Sequence, residues 1–378
     1  MKKVAVVNRT TLKNYGSVLQ SFALCEAIKG LGYDSEIIWQ SGALSRNNDF
    51  RPKKMAKSLL RLAVHPSLWG KTLRLFKGSR ASADQVVSQR TLELFDEFVS
   101  RNVKRRFLSY KEMKDYARSD ECHKLVCGSD QVWCSTTLYV DPLMYLRFAP
   151  EGKRVAYAPS IGRSYIPSFN KRVMRKYISG MDAVSIRESE GAELVGALVG
   201  KDVPVVVDPT LLLEREKWRD MAKDIRDEKY ILCYFLSGTT EQTERWVSGL
   251  AQERGAKVIA LKTRLNHVEE AVGVEYPDAG PTEFLGLVRG ADLVVTDSYH
   301  GMLFSLIFER QFYSVHRQSK DYDQSTRQRS VLATLGIEDR YINGNYDDIP
   351  EDVDYGRVNA TLNSEREASL KYLKAALE

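Results

Sequence analysis

Ala291-Asp292-Leu293-Val294-Val295-Thr296-Asp297-Ser298-Tyr299-His300-Gly301-Met302-Leu303-Phe304-Ser305 changes pattern halfway along, and that change predicts the fold. Residues 291–295 are apolar and partly β-branched, as a buried parallel strand requires. Met302 to Phe308 is apolar again and predicts a helix packed on the sheet. Between them an imidazole, three hydroxyls and a carboxylate crowd the turn from strand to helix. In open α/β sheets ligands bind at such turns, and the N–H groups of the helix start favour an anion. A histidine there can donate a proton near neutral pH. The plainer reading is that His300 and Asp297 cap the helix, but the polar density beside Gly301 exceeds what a cap needs.

Working outward, the same alternation recurs. Met1 to Val7 is too short for a signal-peptide core and reads as a first strand. A polar loop, a helix over 17–31 and a strand over 35–39 follow, a β-loop-α-β opening. Beyond a basic segment come a helix over 84–100 and strands over 124–127, 154–158, 183–186 and 203–207, the last stopped by Asp208-Pro209. A second series begins near Lys229, with strands over 230–236, 257–261, 292–296 and 311–315 and helices over 241–254 and 281–289. The 378 residues suit two domains. We expect an α/β fold of two Rossmann-like domains facing a cleft: 1–214, carrying a basic helical insertion (51–80), and 215–378. A C-terminal helix (364–377) can fold back on the first domain. Ligands belong between the two.

Composition is that of a globular chain, 43% apolar and 28% charged, with no run long enough to span a membrane. The expected location is cytoplasmic, with peripheral contact at the inner face of the cell membrane. Five cysteines (Cys25, Cys122, Cys127, Cys134, Cys233) show neither a disulfide framework nor a zinc spacing and read as reduced thiols. No metal site or cofactor is expected. The net charge of +6 is uneven: residues 51–80 hold nine Lys or Arg and no acid, leaving −3 for the remainder. Leucines and Trp69 interleave with the basic residues, which suits a helix lying on anionic lipid; a solvated insertion packed on the domain is the alternative, since Pro52 and Pro66 interrupt it. No nucleic-acid motif accompanies the patch.

Other strand ends carry chemistry. Asn14-Tyr15-Gly16-Ser17 follows the first strand, with Gly16 permitting close approach and Ser17 as a cap. Gly128-Ser129-Asp130-Gln131-Val132-Trp133 offers a carboxylate, an amide and an indole to a sugar; alternatively Asp130 caps a helix and Trp133 fills the core. Arg187, in Ser185-Ile186-Arg187-Glu188, can clamp a carboxylate or phosphate, or pair with Glu188 or Glu190. Asp208-Pro209-Thr210 reads as structural. Arg317, Arg327 and Arg329 are further candidates for anion contacts.

These segments, with Asp208-Pro209-Thr210-Leu211-Leu212 and Thr296 to Gly301, occur in the order seen in polysaccharide pyruvyl transferases, and over residues 8 to about 335 the chain resembles that family. The resemblance implies a glycosyltransferase-B-like fold, phosphoenolpyruvate as donor, and a saccharide acceptor, often linked to a polyprenyl lipid, in capsule or exopolysaccharide synthesis. It matches His300 and Arg187 to the family's His and Arg, making them the catalytic candidates. Ser298, Gly301, Arg317 and Arg329 join them as donor-binding candidates. Asn14, Tyr15, Gly16, Asp130, Gln131 and Trp133 are candidates for the acceptor, which no motif match places. Asp130 or Glu188 is the candidate base. A glycosyltransferase using a nucleotide sugar and a non-catalytic saccharide-binding protein are the rival readings.

Overall fold

Apolar runs of five to seven residues, buried on both faces, build two sheets whose C-terminal edges face one another. The computed structural model describes the chain apart from residues 9–13, 41–51, 65–84, 225, 227, 318–324, 347–348 and 350–351. Most of the basic segment therefore lies outside the described residues; its helix Pro52–Val64 lies within them.

The strands are β1 (Lys3–Val7), β2 (Asp34–Gln40), β3 (Gln85–Val86), β4 (Arg105–Leu108), β5 (Cys122–Gly128), β6 (Arg154–Tyr157), β7 (Ala183–Val184), β8 (Tyr230–Tyr234), β9 (Lys257–Thr263), β10 (Leu293–Thr296), β11 (Gln311–Val315) and β12 (Tyr341–Ile342). The first sheet runs β4-β2-β1-β5-β6-β7, all parallel. That is the doubly wound order of a Rossmann sheet, and it reverses between β1 and β5. The second runs β12-β11-β10-β8-β9-β3. Counted by its own strands it has the other doubly wound order, 2-1-3-4-5, reversing between β8 and β10, with β3 added antiparallel on β9. Val4 to Val7 and all of β10 are buried, as strands covered on both faces must be.

The sheets share a core. One apolar cluster joins Val4, Val18 and Phe22 to Val294, Phe304 and Phe284. Trp218 stands at the junction, edge-on to Phe22 and Phe304 with its indole N–H donated to the Thr210 carbonyl (3.0 Å). Tyr15 lies flat on Phe284, ring centroids 4.5 Å apart, and donates its hydroxyl to the Ala279 carbonyl (2.8 Å). Two segments cross between the halves: β3 pairs into the second sheet, and the helix Tyr355–Leu377 lies across the first. The Ser369 hydroxyl accepts from Val207 N–H, and the Leu377 carbonyl meets His123 Nε2 (2.7 Å).

Several boundaries differ from the sequence reading. The last helix starts at Tyr355, capped by the Asp354 carboxylate, not at 364. Val203–Val207 makes no ladder: Val205 bridges Ile186 at the sheet edge, where Pro204 has no N–H to give. Helices Tyr110–Arg118, Ser168–Ile178, Ser189–Val199 and Thr326–Leu335 were not marked by periodicity.

Candidate active site

The two points where strand order reverses face each other, and the chemistry gathers between them. A cavity of about 170 Å³ is lined by Asn14 after β1, Asp130 and Gln131 after β5, Leu236 after β8, and Ser298, Tyr299 and His300 after β10. Arg317 and Arg327 complete the wall. Among the described residues, no cluster of three or more His, Cys, Asp or Glu side chains could hold a metal ion.

His300 stands in the first turn of the helix Tyr299–Ile307, whose cap is Ser298: its hydroxyl accepts from Gly301 N–H (3.3 Å). Gly301 therefore spends its N–H on the cap and packs its Cα against Thr296, where a Cβ would meet the Thr296 hydroxyl at 2.6 Å. This corrects the expectation that Gly301 binds the anion. Gly16 is placed differently again: a Cβ there would lie 2.0 Å from His300 Nδ1. Its role is to admit the imidazole, not to touch an acceptor. Asn14, not Ser17, caps the helix Tyr15–Gly30, accepting from Ser17 N–H (3.1 Å).

On its other side His300 Nε2 lies 3.5 Å from Asp208 Oδ2, and the same oxygen accepts a short hydrogen bond from Arg187 Nη1. The Asp208 carboxylate is fully buried, with its second oxygen taken by the Thr210 N–H and hydroxyl. Burial opposes its charge, but His300 and Arg187 outweigh that and hold its carboxyl well below the usual carboxylate range. The sequence reading took Asp208 as structural. Its Asp-Pro context after an apolar run signalled only a strand stop.

Arg187 sits one layer beneath the cavity wall. Its side chain is 1% exposed, its guanidinium lies 4.4 Å from the Tyr299 ring centroid, and Asp130 approaches it at 3.8 Å. Burial disfavours the charge, yet Tyr299, Asp208 and Asp130 push its pKa above the ordinary guanidinium value. Arg187, expected to clamp the donor directly, does not line the cavity; Arg317 and Arg327 do. Arg327 is buried, its guanidinium 5.4 Å from the Tyr299 ring centroid, and its Nε has no hydrogen-bond partner. Burial, with the Arg187 charge added, pushes its pKa down to about 10. Arg317 reaches the Asp297 carboxylate (3.5 Å) and carbonyl (3.3 Å). Asp297 also accepts from Leu236 and Ser237 N–H, so it fastens the β8 turn to the β10 turn; burial raises its pKa despite those partners. Arg329 is exposed and faces Tyr341, away from the cavity, because it lies two positions round the helix from Arg327.

The acceptor candidates divide. Asn14, Asp130 and Gln131 line the cavity, and Asp130 takes a left-handed φ of 62° that turns its carboxylate there rather than capping a helix. Tyr15 is buried among Phe95, Phe284 and Tyr234. Trp133 is buried too, stacked on Tyr145 with its indole N–H given to the Met144 carbonyl (2.9 Å), so it offers no face to a sugar. Glu188 Oε1 accepts from Ser160, Ile161 and Gly162, which makes it the anchor of that loop rather than a base. Buried polar atoms without a hydrogen-bond partner remain on Tyr299 Oη and Arg327 Nε, both on residues of the cavity wall, and such atoms in a native fold call for an explanation.

No curated protein matches the chain. In shape it is similar to S. aureus MnaA in its UDP co-structure (TM-score 0.48, 9% identity, covering 100% of this chain and 91% of that one). It is also similar to Acinetobacter baumannii MurG (TM-score 0.45, 8% identity, covering 100% and 94%). A family model described as polysaccharide pyruvyl transferase matches residues 14–319, a span that holds every residue of the cavity wall except Arg327. The chain belongs to the polysaccharide pyruvyl transferase family, a family of transferases.

Proposed function

We propose that the cavity binds phosphoenolpyruvate and transfers its pyruvate unit to two hydroxyls of one saccharide residue, closing a cyclic ketal in cell-surface or exopolysaccharide synthesis. The observation that carries this reading is Arg327: a buried cation on the cavity wall whose Nε has no hydrogen-bond partner, beside Arg317 and His300, with burial and the Arg187 charge outweighing the attraction of Asp130 and Glu188. A donor with both a phosphate and a carboxylate would relieve that charge. Arginine suits it because its planar fork bonds either group through two N–H donors. The cavity, about 170 Å³, is small against the roughly 300–1,000 Å³ of pockets for larger ligands, which favours a three-carbon donor over a nucleotide sugar.

The chemistry follows from the donor. His300 delivers a proton to the methylene carbon, whose double-bond electrons form the new C–H bond and leave C2 cationic. A sugar hydroxyl oxygen bonds to C2 and loses its proton; Asp130, on the wall, is the candidate base. The C2–O bond to phosphate then breaks, its electron pair leaving with inorganic phosphate, and a second hydroxyl of the same sugar bonds to C2 and closes the ketal, its proton returning to His300. Asp208 balances the imidazolium while His300 carries the proton. A general acid of this kind is worth ~10²–10⁴-fold in rate.

Thermal-shift titration with phosphoenolpyruvate beside UDP-, GDP- and CMP-sugars tests the reading. Saturable stabilisation by phosphoenolpyruvate is expected, about 2.7 kcal/mol at a hundred times Kd, and is lost in Arg327→Gln. Stabilisation by a nucleotide sugar alone would transfer the assignment to glycosyl transfer.

A further inference from the structure

We propose that the helix Pro52–Val64 docks the protein on an anionic phospholipid surface. Its polarity is inverted. A surface helix ordinarily turns its apolar stripe to the core and its charges to water. Here Arg61 faces the protein, donating to the Leu138 carbonyl (3.0 Å), Asn170 Oδ1 (2.5 Å) and the Phe169 carbonyl (3.3 Å), with its guanidinium over the Phe169 ring. Lys57 lies over the Tyr139 ring. Outward, Met55, Leu59, Leu60 and Val64 are 47%, 63%, 66% and 65% exposed, with Ala56 and Ala63 exposed between them. Four of the ten exposed large apolar side chains described in the whole chain stand on these thirteen residues. A concentration of that kind marks an interaction surface.

Charge chooses the occupant. The helix belongs to a thirty-residue stretch, 51–80, with nine basic residues and no acid. A second copy of the chain would set two such stretches against each other. An anionic bilayer instead neutralises the basic residues at the headgroups and takes the apolar face beneath them. The position is also right for a surface-bound acceptor. Asn170, which accepts from Arg61, donates to the Ser135 and Thr137 carbonyls, in the same loop after β5 that supplies Asp130 and Gln131 to the cavity. The inference does not depend on the chemistry of the cavity.

Sedimentation with vesicles of equal parts phosphatidylglycerol and phosphatidylcholine, beside pure phosphatidylcholine, tests it on the full chain. The wild type should sediment with the anionic vesicles only, and less as salt rises. Lys57→Gln should weaken partition about fivefold. Leu59→Glu with Leu60→Glu should weaken it at least about tenfold, with the melting temperature unchanged. Val64→Glu probes the same face should the double variant misfold. Wild-type protein that ignores anionic vesicles, or variants that bind as it does, would overturn the proposal. So would concentration-dependent dimerisation in ultracentrifugation that the leucine variants abolish.

Discussion

Arg187 and Arg327 are both buried guanidiniums beside the Tyr299 ring, 4.4 and 5.4 Å from its centroid, and they are treated oppositely. Arg187, at the end of the first sheet's β7, has the Asp208 carboxylate in contact and its pKa rises. Arg327, on the helix Thr326–Leu335, has no carboxylate in contact among the described residues; burial and the Arg187 charge outweigh the more distant pull of Asp130 and Glu188, and its pKa falls to about 10. Taking a cation out of water costs several kcal/mol unless a partner offsets it. The first arginine is therefore part of the frame, and the second holds an unrelieved cost that an anionic ligand would remove. On the proposed function, the contrast separates the group that sets geometry from the group that would bind the donor.

Breaking the frame should have the largest effect. Asp208→Ala leaves Arg187 uncompensated and should cost about 3–5 kcal/mol in urea denaturation. Because the folded Asp208 carboxyl is held low, its contribution is complete above about pH 4 and is lost as pH falls through the folded value. The stability gap between wild type and variant should thus narrow on acidification below pH 4; a gap independent of pH would remove Asp208 from the ion pair. His300→Ala should lower turnover by ~10²–10⁴ while the stabilisation by phosphoenolpyruvate persists. Equal turnover, followed as phosphate release, would remove His300 from the chemistry.

Arg327→Met sharpens the comparison from the other side. It should raise the stability of the ligand-free protein by about 1–4 kcal/mol, as apolar replacement of buried charge often does, while abolishing the response to donor. A destabilised variant would mean that Arg327 is already balanced. Gly16→Ala should cost about 1–3 kcal/mol by overpacking against the imidazole, although alanine is the better helix former. A turnover left unchanged by that substitution would show that the ring has room to move. Arg329→Ala, on the exposed face, should stay within about 0.5 kcal/mol and leave donor binding intact.

Much of the scaffold was legible because it rests on local pattern. Apolar runs such as Tyr230–Tyr234 and Leu293–Thr296 read as buried strands from their short length and their β-branched and aromatic residues, and the polar turn after the second announced a site. Ser298 and His300 stand on the cavity wall for that reason. Trp133 and Tyr15 were misplaced because an aromatic beside a strand end reads alike whether it faces a ligand or a neighbouring ring; stacking on Tyr145 and Phe284 decided it. Arg327 and Arg329 were both candidates for anion contacts, and only the first lines the cavity, because arginines two apart in sequence point to opposite sides of a helix whose phase was not visible.

The alternation of strand and helix, the turn at His300, the family and the acid-free basic stretch follow from the order of residues alone, since each depends on neighbours within one turn or one strand. The Asp208 contacts with Arg187 and His300 do not. Arg187 and Asp208 meet at the edge of the first sheet, where Val205 bridges Ile186, and only the packing of the second sheet against the first brings His300 within 4 Å of Asp208. Which arginine is balanced and which is left bare is likewise a property of that meeting, because electrostatic cost depends on what surrounds a charge in space and not on what precedes it in the chain.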